Sequence, residues 1–108
     1  MAKYLVQGRY TAEGLQGLVK EKASGRKAAV QAAVKSMKGK LESMHFCFGA
    51  DDVVLIIDAP DNISAAALSL AVGVAGKIKL RVTPLLTVDE VDAAIDLPSK
   101  YRAPGAEK

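Results

Sequence analysis

Few residues in this 108-residue chain could do proton or anion chemistry, and they are singletons. His45 is its only histidine and Cys47 its only cysteine. Alternation through Met44, Phe46 and Phe48 against Ser43, His45 and Cys47 places both on one side of a strand. An imidazole there could move a proton if a polar pocket and an orienting partner met it, and Asp52, Asp58 or Arg9 would have to be that partner. A reactive thiol needs a cation or a helix N-terminus to lower its pKa, whereas Phe46 and Phe48 flank Cys47, so it reads as inert. Arg9, Arg26 and Arg81, with His45 and Asp52, are the candidates for binding a small ligand. No catalytic set is legible beyond His45 itself. One histidine and one cysteine cannot build a structural zinc site in a single chain, and only a site shared across a symmetry axis could, so neither metal nor cofactor is expected.

The stretch that must position these groups is Glu42 to Asp58. Val53 to Ile57 is an unbroken aliphatic run, and Gly49-Ala50-Asp51-Asp52 carries the chemistry of a reversal, so the spacing predicts a β-hairpin with Phe46 in the core. Ahead of it, Lys3 to Tyr10 alternates as a strand. Thr11 caps a helix whose stripe of Leu15, Leu18 and Val19 continues at Val30, Ala33, Val34 and Met37, with a kink expected at Ser24-Gly25 and a stop at Lys38-Gly39-Lys40. After the hairpin, Pro60-Asp61-Asn62 turns and caps a helix from Ile63 to Gly76. Lys77 to Thr83 alternates again, Thr87 and Asp89 open a short helix with Val91, Ala94 and Ile95 turned inward, and 98–108 reads as a flexible tail after a single domain spanning 1–97.

The order β, α, β, β, α, β, then α predicts an α+β, ferredoxin-like βαββαβ domain: a four-stranded antiparallel sheet, both long helices on one face, and an extra short C-terminal helix. By parity the other sheet face holds Leu5, Gln7, Arg9, Ser43, His45, Cys47, Lys79, Arg81 and Thr83, neither clean core nor clean surface. Such a face suits contact between subunits around a polar cavity.

Composition narrows the function classes. Apolar residues make up 50% of the chain but aromatics only 5%, so the core must be aliphatic and alanine-rich. Charge is segregated: residues 1–50 hold nine Lys or Arg against three Glu, and 51–108 hold six against nine Asp or Glu. A solvated helix face accounts for this better than nucleic acid, because RNA-binding versions of the topology stack bases on aromatic side chains and the third strand here is Val53-Val54-Leu55-Ile56-Ile57. Val6-Gln7-Gly8 resembles the start of an acylphosphatase phosphate loop, but Glu13 follows where a substrate-binding arginine belongs, and that reading is rejected. The apolar stretch from Ile63 to Gly76 is too short to span a bilayer, Met1-Ala2-Lys3 leads straight into a strand, and a lone cysteine fits a reducing cytoplasm, so a cytoplasmic protein without membrane contact is expected.

Tyr4 to Leu18, Arg26, Lys38 to Glu42, Phe48-Gly49-Ala50-Asp51-Asp52-Val53 through Asn62, and Val82 to Ala94 together resemble the GYD-domain family of small bacterial proteins. The departure lies in the name-giving motif, where Asp51 stands in place of the family's tyrosine while Gly49 and Asp52 are kept. The resemblance implies a ferredoxin-like or dimeric α/β-barrel fold and supplies no reaction. The expected function is an oligomeric domain that binds a small molecule or serves assembly or regulation, its partner a second copy of itself. The alternative is a cofactor-independent enzyme of the dimeric α/β-barrel type using His45 with Arg9 or Arg81.

Overall fold

The structure, a computed structural model, describes residues 1–105. Its elements are β1 (Ala2–Tyr10), α1 (Ala12–Ser36), β2 (Lys40–Phe46), β3 (Val53–Ala59), α2 (Asn62–Ala75), β4 (Ile78–Leu85) and α3 (Val88–Asp96). All pairings are antiparallel in the order β2-β3-β1-β4, which is the ferredoxin-like sheet with α3 appended.

Strand alternation builds the core. Tyr4 and Val6 of β1 face the helices with Val53, Leu55 and Ile57 of β3, and Val34 of α1 and Ala65 of α2 close over them. Val34 has no exposure at all and Ile57 only 1%, so the centre of the helix-facing side is dry. Each helix opens on a side-chain cap: Thr11 accepts from Gly14 N–H, Asp61 from Ser64 N–H, and Thr87 forms a reciprocal capping box with Glu90. Gly14 is needed for space, since a Cβ there would lie 1.9 Å from the Lys77 carbonyl oxygen. That approach ties the start of α1 to the start of β4, where Thr11 N–H also donates to Lys77 O at 2.9 Å.

Several expectations need correction. The break in α1 is at Lys22 (φ 68, ψ 167) and not at Ser24-Gly25, because a lysine has been forced into backbone space that glycine normally occupies. At the end of α1 it is Lys38, not Gly39, that takes a positive φ. The hairpin has its strands where alternation put them, but β2 ends at Phe46 and residues 47–52 are all connection. Phe48 is therefore 98% exposed rather than strand-bound, and Cys47 is exposed too. Phe46 lies opposite Val53 and so points to the helix side, yet on an edge strand it stays 37% exposed.

The largest departure is α3. Val91, Ala94 and Ile95 were expected inward, but every residue of α3 is exposed, with Val88 at 79% and Ile95 at 73%. Whatever contact the helix makes with another element is slight. The molecule is accordingly extended: its radius of gyration is 17.5 Å, against about 13 Å for a compact chain of this length. The expected tail at 98–108 lies partly outside the described residues, and 97–105 form neither helix nor strand. No helix is long and apolar enough to cross a membrane among the described residues.

Candidate functional site

The sheet face opposite the helices carries most of the candidates, and strand register arranges them in rows. One cross-sheet row reads His45, Val54, Gln7, Arg81, and the next reads Ser43, Ile56, Leu5, Thr83. Beyond the second row Lys3 donates to Glu42 at 2.6 Å and to Asp58 at 3.0 Å. Those two bonds, Glu42 first, hold the Lys3 ammonium above its ordinary pKa of 10.5. The face is thus aliphatic in the middle, at Leu5, Val54 and Ile56, and polar at both ends.

The polar end around Arg81 is built by the 47–52 connection folding back on β1. Gly49 takes φ 136, a value that disfavours any side chain, and turns its carbonyl toward β1. Arg9 then donates to Gly49 O at 2.7 Å and to Ala50 O at 3.0 Å. Asp52 continues the sheet, its N–H on Gly8 O at 2.8 Å and its carboxylate accepting from Tyr10 N–H at 2.9 Å. Asp51 points onto the open face, where its carboxylate accepts from Arg81 at 2.7 Å and from Gln7 at 3.4 Å. The Asp51 side chain is only 16% exposed while Arg81 keeps 64%, so the guanidinium retains donors toward solvent.

The sequence candidates therefore separate by role. Arg9 and Arg81 come together at this end with Asp51, which the sequence marks only as a turn residue and as a departure from a motif. Asp52 is a backbone tie for the loop, not a free carboxylate. His45 lies on the same face but on the edge strand, three strands from Arg81, which is about 14 Å at sheet spacing. Among the described residues its imidazole has no hydrogen-bond partner, and Asp52 and Asp58 are both engaged elsewhere. Cys47 Sγ donates to the Asp51 carbonyl at 3.2 Å, and its N–H to Asp52 O at 2.8 Å, which makes it part of the turn. No group of three His, Cys, Asp or Glu side chains could hold a metal among the described residues.

Arg26 is on the other side of the sheet altogether. It stands between α1 and α2 beside Tyr10, whose phenol is pushed above its ordinary pKa of 10.0 by burial, with the Arg26 charge and hydrogen bond pulling the other way. Nothing in the spacing of the sequence separates Arg26 from the helical lysines around it.

These features define a ferredoxin-like α+β domain with an uncovered, charge-rimmed sheet face and a turn locked to its central strand. The chain belongs to the GYD-domain family, whose model matches residues 4–95. No curated protein and no solved structure matches it.

Proposed function

We propose that this protein is a self-associating binding domain, in which the helix-free faces of two sheets pair and enclose the Arg9, Arg81 and Asp51 end as a site for a small anion. The observation that carries this reading is the open face itself: Leu5, Val54 and Ile56 form its centre with no helix over them, and cations sit at its rim. Apolar surface of this kind gains about 25 cal/mol per Å² when removed from water, and contiguous patches on soluble domains mark contact sites. The outer side of α2 adds to the uncovered surface, with Ile63 at 80%, Leu70 at 69% and Val74 at 88%. An enzymatic reading would require His45 to be held by a carboxylate beside the arginines, and the edge-strand position of His45 supports binding instead.

Light scattering at low micromolar concentration tests the proposal. A mass of two or more times 11.3 kDa is expected, and Ile56→Lys should lower it. A wild-type mass near 11.3 kDa would overturn the reading.

A further inference from the structure

The helix side of the sheet contains a second concavity that pairing of the open faces would leave untouched. α1 packs chiefly on β2 and α2 on β4, which are the two edge strands, so the helices straddle the sheet and leave a groove between them. Its floor is Val6, Leu55 and Leu80, and its walls are Val30 and Ala33 from α1 and Leu68 and Val72 from α2. An inner compartment of about 90 Å³ adjoins an outer one of about 440 Å³, the two sharing Tyr10, Arg26, Ala33, Leu68, Val72 and Ile78. The outer compartment falls within the roughly 300–1,000 Å³ typical of small-molecule sites.

One cation stands in this aliphatic groove with unmet bonding capacity. Arg26 hydrogen-bonds to the Tyr10 phenol and its Nη1 approaches Glu21 only to 3.7 Å, while its Nε has no hydrogen-bond partner. A guanidinium has five N–H donors, and with the side chain 34% exposed the donors other than Nε remain within reach of an acceptor arriving through the groove. Lys77, the other cation lining the outer compartment, is already paired with Glu13 at 2.9 Å. Glu13 and Glu21 on the rim repel a multiply charged ligand, which selects against phosphate esters. The Tyr10 phenol, whose oxygen accepts from Arg26, keeps its own O–H as a neutral donor beside the guanidinium.

We infer that the groove between α1 and α2 binds a small monocarboxylate with an apolar body, its carboxylate on Arg26 and its body against the floor formed by β1, β3 and β4. The fork of a guanidinium matches a carboxylate bidentately, and the aliphatic floor supplies the rest of the affinity without directional demands. The site lies on the opposite side of the sheet from the one proposed above and does not depend on it.

Isothermal titration of the full chain with octanoate, octanol and inorganic phosphate tests the assignment, with amide shifts of Ala33 and Val72 followed in parallel by NMR. Saturable octanoate binding is expected, with shifts at both residues, weakened about tenfold or more in Arg26→Gln, while octanol binding is unchanged by that variant. Val72→Phe, which fills the groove, should abolish both. Ile56→Lys, which addresses the open face, should leave octanoate binding intact whether or not it changes the mass. Octanoate binding that fails to saturate, or that is indifferent to Arg26→Gln, overturns the inference. So does phosphate binding at the same residues, or concentration-dependent shifts at Ala33 and Val72 without ligand, which would show the groove covered by a second copy. Should Arg26→Gln not fold, the wild-type shifts at Ala33 and Val72 decide alone.

Discussion

Asp61 carries a helix on a single carboxylate. It accepts from Ser64 N–H at 2.8 Å, and that bond, with the Ser64 side chain adding to it, holds its pKa below the ordinary 3.8. A depressed folded-state pKa means the carboxylate stabilises the fold above about pH 4 and loses its contribution as pH falls through the lower folded value. Asp61→Ala should therefore be less stable than wild type at neutral pH, and the gap in denaturant melts should narrow below pH 4. A gap constant down to pH 2 would mean that the cap is not what the variant removed. Gly14→Ala probes space rather than charge: with 1.9 Å between its Cβ and Lys77 O, backbone must move, and a cost of about 2–3 kcal/mol is expected. The caps at Thr11, Asp61 and Thr87 were legible because capping is a matter of neighbours in sequence. The Asp51–Arg81 pair was not, because residues 30 apart meet only through the register of β1 with β4 and the fold of the 47–52 turn.

Local pattern and tertiary packing agree for the four strands and disagree at two helices. A period of two survives in β1, β3 and β4 because each has one face on the core. For α1, the sequence points to a break where glycine is, whereas the chain leaves helical geometry three residues before Gly25, at Lys22. Relieving that conformation should show directly: Lys22→Gly is expected to raise stability by about 1 kcal/mol, read as a higher denaturant midpoint. A lowered midpoint would indicate continuous helix through Lys22. At the edge of the sheet, Phe46→Ala should cost about 1–2 kcal/mol in the same melts, less than the 3–5 kcal/mol of a buried phenylalanine, because the ring is already 37% exposed. For α3, amphipathic spacing correctly gave a helix. It could not say against what, since periodicity records that a face is apolar but not which chain covers it.

The molecule as a whole is larger in extent than its core explains, 60 Å in its longest dimension against 31 and 23 Å in the others. If the uncovered surfaces exist for association, charge placed on them should act on mass before stability. Ala67, exposed on the outer side of α2, offers that test: Ala67→Glu should lower the mass seen by light scattering while leaving the monomer folded by circular dichroism. Wild-type mass and stability in this variant would exclude the outer side of α2 from the contact.

The irregularity between Leu41 and Ser43 in β2 bears on how such an assembly can grow. That irregularity interrupts one edge strand, and on the other Pro84 removes a backbone donor while the exposed Lys79 and Arg81 place charge along the rim. In the proposed self-association these interruptions disfavour sideways extension of the ladder and favour contact through the flat surfaces. A contact made by one surface on its own twin is used up once formed, which gives a finite particle where rim-to-rim joining would give a fibre.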